Sequence, residues 1–140
     1  MGNISLGMKY ESLYDEFVEM FPEDLEYFNE LAEESSAERE DGMHIMFGMV
    51  VCPFILKIAD KDPKKAQLAF DFIEEMEKCS DDRIVNVAEV TVLEDLMTDE
   101  NGGMKKLGKY LGEESRKTVM HLSQFFHIDM NDEMIADKEV

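Results

Sequence analysis

The sequence predicts an all-α protein of about seven helices, arranged as a HEAT-like stack of antiparallel helical hairpins, with a closed helical bundle as the alternative. Three observations carry this expectation. Apolar residues recur at helical spacing in almost every segment. Two of the three prolines, Pro22 and Pro63, stand where helices begin. No segment makes a convincing strand.

The first helix is read from Tyr10, Leu13, Tyr14, Phe17, Val18 and Phe21, which share one face, with Glu11, Asp15, Glu16 and Glu19 off it. Pro22 opens a second helix, with Glu23 and Asp24 at its positive end and Leu25, Phe28, Leu31 and Ala32 as its apolar stripe. SSAEREDG is a polar junction or the first turn of a long third helix.

The third segment, GMHIMFGMVVCPFILKIAD at 42–60, is nearly all apolar and contains Pro53. Met43, Phe47, Val50, Val51, Phe54, Ile55 and Ile58 keep helical phase through the proline, so the spacing predicts one buried helix kinked at Pro53. A membrane span needs roughly 20 apolar residues, and this run is too short.

Asp62 and Pro63 form an N-cap and first-turn pair ahead of Ala66, Ala69, Phe70, Ile73 and Met76. SDDRIVNVAEVTVLEDL is rich in valine, so strand competes there. Ile84, Val85, Ala88, Val92 and Leu96 hold helical spacing, however, and Ser80 offers a cap, so a helix is expected. NGG at 101–103 is a break. Met104, Leu107 and Leu111 make a short helix ending at Gly112. Ser115 to Phe126 is the last helix, through Val119, Leu122, Phe125 and Phe126. The chain is thus expected to form one helical domain over 1–128, with a fraying tail at 129–140.

The 140 residues carry 33 acidic and 14 basic side chains, a net charge of −19. Residues 1–50 hold thirteen acids against two bases, 51–100 thirteen against six, and 101–140 seven against six. This field repels nucleic acid and anionic membrane and favours a cationic partner. The lopsidedness is harder to explain as solubility alone.

A search for catalytic chemistry finds little. His44, His121 and His127 lack ligand spacing, and no HExxH, CxxC, GxSxG or phosphate-binding glycine loop occurs. Cys52 and Cys79 form no close pair and are expected as reduced, inert thiols of a cytosolic protein. The N-terminus has no basic region followed by an apolar run, so no signal peptide is expected. Twelve methionines in an acidic chain suggest a calcium sensor, but the nearest loop, from Asp99, puts Gly103 at its fifth position and Tyr110 at its twelfth, and fails. Adjacent carboxylates such as Glu33-Glu34, Glu74-Glu75, Asp81-Asp82 and Glu94-Asp95 arise by chance at this acidity, and no tryptophan sugar platform accompanies them. The expectation is a non-enzyme with no catalytic residue, no metal and no cofactor.

YDEFVEMFPE, FGMVVCPFI, FDFIEEMEKCSDDRIVNVAEVTVLEDL and YLGEESRKT together resemble a small uncharacterised family of acidic all-helical bacterial proteins. Some proteins similar to it are immunity proteins of polymorphic or contact-dependent toxin systems. The resemblance spans roughly residues 10–125 and implies a cytoplasmic protein that binds and neutralises one cognate toxin domain. It carries over no catalytic residue.

Charge and resemblance lead to one expectation. The chain is a monomer that covers the active or substrate-binding site of a cationic toxin domain, a basic RNase being the specific case, in a one-to-one complex. The expected contact residues are Asp15, Glu16, Glu19, Glu23, Asp24, Glu30, Glu33 and Glu34, then Asp71, Glu75, Glu94 and Asp95. The rival readings are a HEAT-like adaptor that takes a peptide or helix in an apolar groove, and an enzyme with an unrecognised acidic site.

Overall fold

The computed structural model describes residues 8–99 and 103–125. Among them the fold is all helical, with seven helices and no strand. The expected tail at 129–140, Phe126 and His127 lie outside the described residues. Helix α1 (Leu13–Glu19) comes after a 3-10 turn at Tyr10–Ser12. A second 3-10 turn at Pro22–Asp24 leads into α2 (Leu25–Ser35). Helix α3 runs without interruption over 43–58, α4 is Pro63–Glu77, and α5 runs over 82–97. Helix α6 (Gly103–Leu107) ends in a 3-10 turn at Gly108–Tyr110, and α7 is Glu113–Phe125.

The apolar stripes are the buried faces, as expected. Leu13, Tyr14, Phe17, Val18 and Phe21 are buried, as are Ala66, Ala69, Phe70, Ile73 and Met76. Leu25 is the exception on α2. It lies in the first turn of the helix and is exposed, leaving Phe28 as that helix's buried anchor. Phe17 sits at the centre of an aromatic cluster. Its ring centroid is 5.3 Å from both Phe21 and Phe72, 6.1 Å from Phe47, and 6.2 Å from both Phe28 and Phe54. These contacts join α1, α2, α3 and α4, mostly edge to face, the geometry that aromatic quadrupoles prefer.

Pro53 does lie inside a continuous helix, but the chain accommodates it in an unexpected way. Residues Phe47–Val51, just before it, form a π-helical turn, and the Cys52 N–H donates to the Phe47 carbonyl five residues back. A proline ring collides with the carbonyl four residues earlier in a regular helix. A widened turn relieves that collision. The valine-rich segment is helical too, with Ile84, Ala88, Val92 and Leu96 buried, and it also contains a π segment, Val87–Leu93. Val87 and Leu93 are also buried, while Val85 stays half-exposed.

The two π segments pack against each other. His44 Nδ1 lies 2.6 Å from Thr91 Oγ1, and a Cβ on Gly48 would come within 3.3 Å of both Thr91 and Asp95. Positions rising along α3 meet positions rising along α5, so the two helices run in the same direction. Glu74 and Glu77 of α4 likewise meet successive turns of α7.

Two helix ends differ from expectation, and the SSAEREDG segment is the polar junction of the two readings given for it. The cap of α5 is Asp81, which accepts from the Arg83 N–H at 2.9 Å, rather than Ser80. The SSAEREDG junction opens with Ser36 in the left-handed region, φ 60°, and continues as a 3-10 turn with a reciprocal box between Glu38 and Asp41. Gly112 does not end α6. It precedes α7, and its carbonyl accepts the helix's first bond, from the Arg116 N–H at 2.9 Å.

A glycine at an N-cap position has no side chain to hold the free N–H groups of the first turn. Glu74 of α4 supplies that function from 41 residues away. Its carboxylate accepts from the Glu114 N–H at 2.8 Å, the Ser115 N–H at 2.9 Å and the Ser115 hydroxyl at 2.8 Å. Burial raises the Glu74 pKa, but the two backbone bonds and the hydroxyl outweigh it, and the net shift is downward. A Cβ at position 112 would fall 2.4 Å from the carboxylate, so only glycine admits this approach.

Gly112→Ala should therefore displace Glu74 and destabilise the fold by about 2–3 kcal/mol, the range for lost hydrogen bonds to a charged group. Glu74→Gln should cost less, because the amide oxygen can keep one backbone bond. Urea unfolding of both variants and the double mutant checks this. The double mutant should cost little more than Gly112→Ala alone, since both changes break the same contact.

Candidate functional site

The expected contact residues divide into those occupied inside the molecule and those left open. Asp15 accepts from Arg39, at 2.7 and 3.0 Å, and Arg39 also lies over the Tyr14 ring. Glu16 accepts from the Ser12 hydroxyl at 2.6 Å and the Lys9 N–H at 3.2 Å, closing the 3-10 turn ahead of α1. Glu23 and Asp24 both hold Lys65, at 3.0 and 2.6 Å, and so tie the entry of α2 to the first turn of α4. On α4, Asp71 accepts from Gln67 at 2.9 Å, and Glu75 lies 3.8 Å from Lys78. On α5, Asp95 lies against Gly48, and no cation pairs with Asp95 or Glu94 among the described residues.

Glu19, Glu30, Glu33 and Glu34 are exposed and also lack a cationic partner among the described residues. The last three share α2 with Glu26. Together with Asn29 they line a shallow groove along that helix. Glu26 is not among the residues expected from sequence, although its spacing shows it. Glu26, Glu30 and Glu34 succeed one another at four-residue intervals on one face.

This face works against the helix that carries it. Like charges four apart on a helix repel. Glu33 and Glu34 stand in the last turn, at the negative end of the helix dipole, and no basic residue is there to offset them. Half-buried Tyr27 registers the same field. Loss of solvent raises its pKa most, and Glu34 and then Glu30 raise it further.

A second acidic feature lies between α4, α5 and α7. Glu77 pairs with Glu89, whose Oε2 accepts from the Thr118 hydroxyl at 3.2 Å. Glu77 Oε2 is buried without a hydrogen-bond partner. Loss of solvent, then the hydrogen bond and the charge of Glu89, push the Glu77 pKa up to about 9. At neutral pH Glu77 therefore keeps its proton. Perturbed carboxyls often mark active sites, but none of the groove's lining residues comes from this pair. The Cys52 thiol is buried and pushed well up, first by burial and then by Asp95, as suits an inert core thiol. Among the described residues no group of three His, Cys, Asp or Glu side chains is placed to hold a metal ion, and no helix is long and apolar enough to cross a membrane.

Residues 14–127 match the model of a protein family described as a domain of unknown function, DUF7674. The chain belongs to this family. The DUF7674 region begins within α1 and passes the last described residue of α7, so it includes the α2 face, the Glu74 cap and the Glu77–Glu89 pair. No curated protein and no solved structure matches the chain.

These charges have measurable effects on stability. Replacing Glu26, Glu30, Glu33 and Glu34 together by Gln should raise Tm at low ionic strength, by about 5 °C for a domain of this size. The gain should shrink in high salt, and thermal scans at two salt concentrations check it. Glu77 has the opposite pH signature to Glu74. Its folded pKa is raised, so the folded state holds an extra proton between about 4.5 and about 9, and stability falls as pH rises through that window. Glu74, with a lowered pKa, loses its contribution only as pH falls below the ordinary carboxylate range. Urea midpoints of the wild type should decline toward alkaline pH, and Glu77→Gln should flatten that decline.

Proposed function

We propose that the protein is an immunity protein: a binding inhibitor that covers the active or substrate-binding site of a cationic toxin domain, a basic RNase being the specific case. It acts in the cytoplasm as one monomer per toxin. The observation that supports this reading is the α2 face. Its four glutamates have no internal partners among the described residues, and they lower the stability of their own helix. A partner's Lys and Arg side chains would relieve that repulsion on binding, so the unfavourable charge becomes a source of affinity and of fast association. Acids already used inside the fold, such as Glu16 and Asp24, are poorer contact candidates, because engaging them would break existing contacts.

The adaptor reading has its own support in the exposed apolar side chains Ile45, Met49 and Val90. It predicts binding that depends on those residues and only weakly on salt.

The test is to express the C-terminal domain of a large secreted protein from a neighbouring gene as the toxin, and to measure protection of the cells that make it. The wild type should restore growth, and the four-Gln variant on α2, folded and more heat-resistant, should not. In stopped-flow mixing, association of the wild type should slow steeply as the Debye length shrinks from about 10 Å at roughly 0.1 M salt to about 3 Å at roughly 1 M. Equal protection by the variant would assign the α2 charge to solubility alone. No protection by the wild type would remove the inhibitor reading.

A further inference from the structure

Five large apolar residues are exposed among the described residues: Leu25, Ile45, Met49, Leu68 and Val90. Leu25 and Leu68 lie apart, on α2 and α4. The other three flank one seam. Ile45 and Met49 are one turn apart on α3, each directly after a residue that faces α5, namely His44 and Gly48. Val90 directly precedes Thr91, the residue that both of those meet. They are 39%, 49% and 51% exposed. Single exposed apolar residues are ordinary, but three side by side along a helix–helix seam form a patch.

The rim of this patch is acidic and unneutralised. Glu94 stands one turn beyond Val90, and Asp95 places its carboxylate against Gly48. Neither pairs with a cation among the described residues. Loss of solvent, and then the Glu94 charge, raise the Asp95 pKa, so this carboxylate would gain from a cation brought close to it. The missing side chain at Gly48 lets α5 approach α3 closely, since a Cβ there would lie 3.3 Å from both Thr91 and Asp95. A second copy of the chain is a poor occupant, because two such faces would set acid against acid in a protein of net charge −19.

We propose that the α3–α5 seam is an anchoring site for a cationic amphipathic helix of a protein partner, which lays its apolar residues over Ile45, Met49 and Val90 and a Lys or Arg beside Asp95. This goes beyond inhibition, since it holds whatever the partner's activity. It also assigns separate tasks to two surfaces. Exposed charge on α2 governs encounter, while the seam, where apolar area is removed from water, governs residence. Helix-in-groove recognition reads apolar anchors spaced about one turn apart, the spacing that Ile45 and Met49 present.

The experiment uses the full chain, with isotope-labelled methyl groups, and a synthetic lysine–leucine amphipathic peptide of about four helical turns. The expected result is saturable movement of the Ile45, Met49 and Val90 methyl signals. Met49→Lys and Val90→Lys should each weaken binding at least about tenfold, and Asp95→Asn should weaken it less and reduce its salt dependence. The four-Gln α2 variant should slow association and leave the same methyl groups moving. Movement confined to α2, equal binding of a glutamate–leucine peptide, or seam signals that shift with protein concentration alone would each overturn the proposal. The mapping on wild-type protein decides the matter even if a lysine variant fails to fold. Failure of toxin protection, with the methyl mapping intact, would remove the inhibitor reading and leave this one standing.

Discussion

Phe17 touches five other phenylalanine rings that reach it from the end of α1 and from α2, α3 and α4. Among the described residues, no other joins so many elements through aromatic contact. Truncating a buried phenylalanine to alanine typically costs about 3–5 kcal/mol, a large share of a small domain's total stability. The cluster fixes which sides of α1 to α4 point inward, and so it also fixes which acids point out. On α2, with Phe28 turned toward Phe17 and Phe54, the residues at 26, 30, 33 and 34 have nowhere to go but solvent. The acidic face is the geometric complement of the aromatic core.

The charges that remain on the surface have separate uses. Where a cation is available, acid serves architecture: Lys65 draws Glu23 and Asp24 to α4, and Arg39 draws Asp15 to the junction before α3. Exposed pairs of this kind contribute little stability each, yet they specify which loop meets which helix. The basic side chains of the first 65 residues are few, and two of them, Arg39 and Lys65, are committed in this way. The α2 glutamates are the remainder. Their mutual repulsion and exposure are what the proposed contact with a cationic partner rests on.

The element pattern is legible in the sequence because burial in a helical fold leaves a regular trace. Even the valine-rich 84–96 segment is readable, since the spacing of Ile84, Ala88 and Val92 outweighs the preference of valine for strands. The π turns are not legible. They depend on how Pro53 and the close approach at Gly48 are accommodated once α3 meets α5, and spacing along one helix contains no information about its neighbour. Gly112 reads as a helix end for the same reason. A glycine after an apolar stripe has a local explanation, while the one that applies here involves a carboxylate distant in sequence. For the candidate site, the acidic character of the N-terminal half is visible by counting. The separation of working acids from open ones requires the positions of Lys65, Arg39 and Ser12 in space.

The borrowed cap of α7 has a consequence for the order in which the chain assembles. Most helices carry their start signal next to their first turn and can form transiently before anything else is in place. Helix α7 is less able to, because position 112 offers no side chain and the carboxylate that takes its place arrives only when α4 docks. Its first turn should therefore be among the last parts to acquire protection against amide hydrogen exchange and among the first to lose it, as a unit less stable than the core around Phe17. The same dependence ties two distant positions in evolution. A relative with a side chain in place of Gly112 would have to bring its own cap to α7, and the residue at position 74 would then be released to vary.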